Sequence, residues 1–331
     1  MIGPLSVGAT CLLALAGVAL DALLGEPRRA HPLVGFGRLA KWIERSLNPD
    51  HDALQVAADD RCGTAARGAL ASRAMGVVGW LLAVAPPVIL LVVLTRTSPV
   101  ALAWTLHVAS LWFALGARSL TDHIAPIKTA LEAGDLPQAR ALTSRVVTRD
   151  LSEADEGAVA RAAIESALEN GNDAIFGALF WFAIAGGPGA LAFRLANTLD
   201  AMWGYRTPRF LFFGWAAARL DDIANYVPAR LTALTYALCG DCRTALACWR
   251  SQASAWESPN AGPVMASGAG SLNVSCGGIA RYHGVDEPRP VLGAGRPPGA
   301  EDVGRALSLV RRAIGLWLTV FALVGVVSMI V

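Results

Sequence analysis

RAAIESALENGNDAIFGALFWFAIAGGPGALAF, residues 161–193, decides how this chain is read. Its first half carries Arg161, Glu165, Glu169 and Asp173 at steps of four, so on a helix they form one slowly drifting stripe. Its second half, 174–193, is twenty residues without a charge, the length a helix needs to cross a bilayer. Carboxylates that run up to a membrane-length segment are costly unless they bind something. The plainer account is that they cap and solubilise helix ends at the membrane surface. It serves for any one acid and less well for the whole set. AGGPG at 185–189 predicts a broken or re-entrant helix rather than a plain span, with backbone groups open to a ligand or cavity.

Working outward, the rest of the chain has the same character. Of 331 residues 54% are apolar and 16% charged, with mean hydropathy +0.45, where a soluble domain carries about 25% charge. The fold class expected is an all-α polytopic membrane protein, a single integral domain over 1–331 with four to six membrane segments and helical cytoplasmic loops. The segments fall at 5–24, 74–94, 99–117, 174–193 and 313–331. The first has no basic residue ahead of it and no cleavage signal after it, so it reads as a retained span. Pro86 and Pro87 should kink or divide the second. His107, inside the third, reads as a packed histidine before a catalytic one. The topology of 174–250 stays open, because the apolar runs at 210–218 and 231–238 are too short to cross alone.

Three polar regions, 25–73, 118–173 and 241–312, separate the spans. In the first, Phe36, Leu39, Trp42 and Ile43 make one face of a short surface-lying helix, followed by an irregular stretch from 48 to 68. The second should hold two short helices broken near 134–137. Ser152 followed by Asp155 and Glu156 then resembles an N-cap with first-turn acids. The three regions hold eight, six and eight Lys or Arg, which places all three in the cytoplasm and both termini outside. An even number of crossings satisfies that arrangement. The arginines form no blocks with interleaved aromatics, so no nucleic-acid surface is expected. Cys239 and Cys242 make a lone C-x-x-C without a second pair or a nearby histidine, and they read as ordinary thiols.

The chemistry must lie in the polar residues near 161–230. Carboxylates at 165, 169, 173, 200, 221 and 222 are hard oxygen donors suited to Mg²⁺, which is held by one or two acids together with substrate phosphates. Arg206, Arg209, Arg219 and Arg230 can neutralise phosphate or carboxylate. No Walker A, HExxH or GxSxG pattern is present. The residues alone therefore reach an anion- or metal-handling face and leave enzyme and transporter both open.

A resemblance goes further. GEPRRAHPLVGFGRLAKWIE (25–44), TSRVVTRDLSE (143–153), RAAIESALEN (161–170), NTLDAMWGYRTPRFLFFGWAAARLDDIANYVPARLTA (197–233) and SPNAGPVMASGAGSLNVSCGG (258–278) occur in the order found in the CobD/CbiB family. On these segments, spread over nearly the full chain, it strongly resembles the adenosylcobinamide-phosphate synthases of cobalamin biosynthesis. The resemblance implies a protein of the bacterial inner membrane that joins a propionate of adenosylcobyric acid to (R)-1-amino-2-propanol or its O-phosphate. The reaction would use ATP and Mg²⁺ and give adenosylcobinamide or its phosphate. It also implies partners: the corrinoid, the amine, the lipid bilayer, and either a second copy of the chain or other cobalamin-biosynthesis proteins.

On that reading Glu165, Glu169 and Asp173 handle metal and nucleotide phosphate, with Asp221 and Asp222 as a second acidic group. Arg219 and Arg230 hold phosphate. Asp200 orients the incoming ammonium or takes its proton. Asn170, Asn197, Asn225, Ser258 and Asn260 bind amide groups around the corrinoid, His31 lines the entrance, and Trp42, Trp181, Trp203 and Tyr205 offer flat surfaces. Two residues depart from the family pattern: Ala174 stands where it has glycine and Ala178 where it has proline. Two rival readings are a noncatalytic signalling protein of the AmpE kind, which would tolerate loss of the acids, and a corrinoid transporter, which would need a continuous membrane path.

Overall fold

The computed structural model describes residues 5–26, 32–51, 64–282 and 284–330. His31 and most of the irregular 48–68 stretch lie outside them. The described chain is helical across its long apolar runs. Five helical segments are long and apolar enough to cross a membrane: Val7–Leu24, Gly68–Thr97, Val100–Glu132, Glu156–Trp203 and Ala300–Ser328. Many of their large apolar side chains face outward, among them Leu82, Ile89 and Leu90, and Leu323, Val326 and Val327 near the C-terminus. That is the arrangement of a polytopic helical membrane protein, whose outer surface is solvated by lipid.

The chain divides into two compact units. One comprises residues 1–20, 26–114 and 178–224. It contains most of α1 (Val7–Leu24), then α2 (Pro32–Leu47), α3 (Thr64–Thr97), α4 (Val100–Ala114) and nearly all of α8 (Gly177–Trp203). α2 is the amphipathic helix expected from its pattern. It buries Ala40 and Ile43 against Ala83 and Val84 of α3 and Leu195, Leu199 and Trp203 of α8. Trp203 meets Phe213 edge to face at 5.2 Å inside this core, so it offers no face to a corrin. Of the two outcomes expected at Pro86–Pro87, a kink or a division, division does not occur: α3 continues through both prolines. Proline is tolerated in a spanning helix where neighbouring groups satisfy the freed carbonyls.

The expected break in 174–193 is present. α8 leaves helical geometry at Ala185 (φ −136°, ψ 16°) and Gly186 (φ 61°, ψ −150°). Buried His107 sits against this break and accepts a hydrogen bond from the Gly187 N–H at 2.8 Å, a packing role like the one its position suggested.

The second unit comprises residues 21–25, 115–177 and 225–331. The third span does not stop at 117 as read. α4 ends at Ala114, and after a break at Leu115–Gly116 α5 runs over Ala117–Glu132. The next break falls where Gly134–Pro137 predicted it, with Asp135 capping α6 (Leu136–Thr143) through the Gln138 N–H. α7 (Glu156–Gly171) is capped by Asp155, which accepts from the Ala158 N–H, and not by Ser152. Ten of its sixteen residues are buried, on all sides, as for a helix enclosed by others. The part of α9 (Trp215–Cys239) from residue 225 onward, α10 (Cys242–Gln252) and α11 (Ala261–Leu272) follow, the first ten residues of α9 belonging to the other unit.

Every residue of α11 is buried, and its small side chains let neighbours approach closely. A Cβ at Gly268 would come within 2.7 Å of Leu168. The expected polar loop 241–312 is thus largely ordered. It also holds two antiparallel ladders, β1 (Ser275–Gly277) with β4 (Val291–Gly293) and β2 (Ala280–Tyr282) with β3 (Val285–Glu287), a minor departure from the all-α class. α12 (Ala300–Ile330) begins well before Arg311–Arg312. Its buried Asp302 is held by Arg296 and Arg305 at 2.7 and 2.6 Å.

Candidate active site

Within the second unit the stripe of α7 is built unevenly. Glu165, 2% exposed, accepts from Arg149 at 2.6 Å, from Arg289 at 3.1 Å and from the Gly277 backbone N–H at 2.8 Å. Two guanidinium groups and a backbone donor engage both its oxygens, so a metal ion would have to displace at least one of them. Glu165 therefore leaves the expected metal set. Glu169 lies one turn on and is half-buried. After it the α-helix gives way to one π-helical turn, Asn172–Phe176, so the step-of-four register ends before Asp173. Turns of this kind are rare and recur at functional sites.

Asn172 is the hub of that turn. Its amide donates to Asp173 Oδ1 and to Asn225 Oδ1, both at 2.8 Å, while Thr232 donates to its carbonyl oxygen at 3.0 Å. Asn225 is 1% exposed, and its side-chain oxygen is taken up in the network of the turn. The departure at Ala174 is accommodated here: the turn keeps right-handed backbone angles, and among the described residues only Asn273 is a non-glycine with positive φ. The Ala174 carbonyl accepts from Gly116 N–H at 2.9 Å, which ties the turn to the α4–α5 break.

Other expected binding residues hold one another. Arg230 donates to Asn260 Oδ1 at 2.7 Å and to the Pro259 carbonyl at 2.9 Å. Ser258 accepts from the Ala261 N–H at 3.1 Å at the start of α11, and Asn170 donates to the Ser166 carbonyl at 2.9 Å.

The first unit holds the second acidic group. Asn197 of α8 donates to Asp221 of α9 at 3.3 Å. Asp222 pairs with Arg219 one turn back at 3.5 Å and is 28% exposed. Burial pushes the Asp222 carboxyl above its ordinary value, an effect that Arg219 and Arg206 partly oppose. Asp200, half-buried near the end of α8, lies within electrostatic reach of Asp222. A Cβ at Gly204 would fall 2.0 Å from Asp200 Oδ1, so only glycine lets this carboxylate fold back over the helix end. Arg209, a cation first considered for the substrate, instead pairs with buried Glu44.

No group of three or more His, Cys, Asp or Glu close enough to hold a metal ion occurs among the described residues. Magnesium does not require one, since one or two carboxylates with substrate phosphates and water suffice. The pair Asp200 and Asp222 fits that demand, having partly buried oxygens and cationic Arg219 and Arg206 close by for phosphate charge.

Sequence reasoning missed Arg149, Arg289, Asn172 and Thr232. Arg149 lies in a segment that carries the resemblance, and Thr232 is seven residues, two helical turns, from Asn225. Asn172 is inside the opening stretch, where its neighbour Asp173 drew attention as the charged group.

Comparison with known proteins adds an independent finding. The model of the family described as CobD/Cbib protein matches residues 14–310. The chain is 52% identical over 314 residues to cobalamin biosynthesis protein CobD of Stutzerimonas stutzeri, covering 95% of this chain and 97% of that one. It is 53% identical over 298 residues to the protein of the same name from Chromobacterium violaceum (90% and 91% covered), and 41% identical over 302 residues to that of Mycobacterium tuberculosis (90% of each). No solved structure matches.

Proposed function

The chain belongs to the CobD/CbiB family, and on that premise we propose that it performs the amide-forming step of cobalamin biosynthesis. It joins a propionate of adenosylcobyric acid to (R)-1-amino-2-propanol or its O-phosphate, using ATP, and yields adenosylcobinamide or its phosphate. The observation that carries this is kinship over nearly the whole length, at more than half identity to two relatives. The rival readings, an AmpE-like signalling protein and a corrinoid transporter, have no observation in their favour.

The propionate oxygen attacks the terminal phosphorus of ATP and ADP leaves. The amine nitrogen then attacks the acyl carbon, releasing phosphate and one proton. Bound Mg²⁺ would neutralise charge on the ATP phosphates, with Asp200 and Asp222 as its protein ligands. Arg219, paired with Asp222, would offer its charge to the same phosphates. Asp221, held by Asn197, sets the position of its neighbour Asp222 on α9. The resemblance gives the ammonium to Asp200 and metal to Asp173; with Asp200 beside Asp222 we exchange these roles, so that Asp173 orients the amine and takes its proton, a role that needs hydrogen-bond reach. Asn172, Asn225 and Thr232 fix the turn that carries it. Glu169 and Asn170 flank that turn and supply polar contacts to the corrinoid amides, while Arg230, Asn260 and Ser258 shape the loop before α11.

The protein is a multi-pass membrane protein. We place it in the bacterial inner membrane with the loops 25–73, 118–173 and 241–312 in the cytoplasm and both termini outside. Four complete crossings satisfy that orientation when the broken α8 dips in and returns.

The test is a reaction of purified protein in lipid with ATP, Mg²⁺ and adenosylcobyric acid. Each amine is supplied separately, and the corrinoid is followed by mass. An amide-linked product establishes the reaction and names the amine. Corrinoid binding without product from either amine overturns it for the isolated chain.

A further inference from the structure

Two stretches that carry the resemblance, TRDLSE at 148–153 and the glycine pair Gly277–Gly278 after α11, have no task in the reaction as described. The first lines a cavity of about 260 Å³ in the second unit, together with Arg161, Arg281 and the residues that directly follow the glycine pair, Ile279 and Ala280. Pockets for drug-sized ligands run from about 300 to 1,000 Å³, so this one is too small for a corrinoid or a whole nucleotide. A phosphate group fits it.

The charges around the cavity are sorted by depth. Glu153 and Asp286 also line it, but they are 75% and 64% exposed and pair with Arg281 at the rim. Asp150 is exposed as well, and its carboxylate accepts from the Ser152 N–H at 2.9 Å. Solvent screens such groups. Deeper in the wall, Arg149 is 11% exposed and shares the single carboxylate of Glu165 with Arg289, so two guanidinium groups face one acid. Arg161 is half-buried and makes no hydrogen bond or ion pair with any described residue. Gly278, at φ +77°, lies beside it: a Cβ built there would be in ordinary contact with its Nη1, at 3.9 Å. A partly desolvated cation without a partner costs free energy that a bound anion would offset.

We propose that Arg161, with Arg149 beside it, binds the phosphate group of a reactant in this cavity. The planar fork of Arg161 suits two phosphate oxygens at once. The ligand class is a phosphate monoester or polyphosphate end. Its carriers, ATP or the aminopropanol phosphate, follow from the amide-synthase reading, whereas the phosphate site rests on the cavity alone.

The experiment is calorimetric titration of the full-length protein in lipid nanodiscs with ATP, aminopropanol phosphate, inorganic phosphate and, as the phosphate-free control, free aminopropanol. Arg161→Ala should weaken at least one phosphate-bearing ligand tenfold or more and leave free aminopropanol unchanged. Arg161→Lys should restore part of the loss. Ile279→Glu adds negative charge at a rim residue that is 69% exposed, so it should weaken the same ligand without disturbing the fold. Loss confined to ATP identifies the nucleotide as occupant, loss confined to aminopropanol phosphate identifies the amine substrate, and loss of all three identifies a general phosphate site. Binding of all three within twofold of the native protein, in an Arg161→Ala variant with the native melting temperature, overturns the proposal. Product formation is measured separately. Arg161-dependent phosphate binding without any amide product would strike the functional reading and leave the site standing.

Discussion

Arg149 Nη2 donates to Glu165 Oε2 across 2.6 Å, at a carboxylate that is only 2% exposed. Arg289 and the Gly277 N–H complete the set around it. Removing one partner of a buried ion pair typically costs about 3–5 kcal/mol, because the other charge is left uncompensated. Glu165→Ala strands two arginines, so its loss should sit in that range and lower the melting temperature of the purified protein. The drop should be equal with and without Mg²⁺. A variant that loses stability only when the metal is present would return Glu165 to the metal set.

Asp173→Asn separates chemistry from folding. Asp173 Oδ1 accepts a hydrogen bond from the Asn172 amide, and an asparagine can turn its carbonyl oxygen to the same donor. The π turn should therefore survive with its melting point nearly unchanged. What is lost is the charge and the capacity to take a proton, worth roughly 10²–10⁴ in rate for a general base. Product formation per unit of folded protein should fall by that factor while corrinoid binding persists. Activity within threefold of native would remove Asp173 from the mechanism.

Much of the fold is legible because it rests on local composition. Twenty uncharged residues after Asp173 declare a membrane-length helix, and Gly186–Gly187–Pro188 declares its break, since only glycine takes the angles found there. Asp135 likewise marks a helix start beside the glycine that ends the one before. The environment of Glu165 was not legible, because its partners lie 16, 112 and 124 residues away and spacing along one helix says nothing about them. The start of α12 was misplaced for a related reason. Arg311 and Arg312 look like the end of a loop, yet the helix begins at Ala300 and carries both within it. The β ladders are three residues long per strand, too short to show alternation.

Asp222 supplies a pH dependence. Burial raises its pKa, with Arg219 and then Arg206 opposing, so the net shift is upward. A raised folded-state value makes this group's contribution to stability fullest below the ordinary aspartate range and removes it as pH climbs through the folded value. Activity should run the other way, because the proposed magnesium ligand must be ionised. The acid limb of kcat/KM should lie above the usual carboxylate range, and Asp222→Asn should abolish that limb along with at least tenfold of the rate. An unchanged limb in the variant would assign it to another group.

The break in α8 makes the sharpest stability prediction. Gly186 sits at φ 61° and ψ −150°, a region that only glycine occupies without strain. A Cβ placed there would also lie 2.7 Å from His107 Nδ1, the atom that accepts from the Gly187 N–H. Gly186→Ala thus meets backbone strain of about 1–3 kcal/mol together with a clash against a buried ring. Cutting the ring away does not rescue it. His107→Ala in the same chain removes the clash but leaves a buried N–H without its acceptor, itself a loss of about 1–3 kcal/mol. The double variant should therefore stay well below the native melting temperature. Gly315→Ala, where an added Cβ meets nothing within 4 Å in the midst of α12, serves as the control and should be neutral or slightly stabilising. A Gly186→Ala protein that melts with the Gly315→Ala control would mean that α8 runs straight through this point.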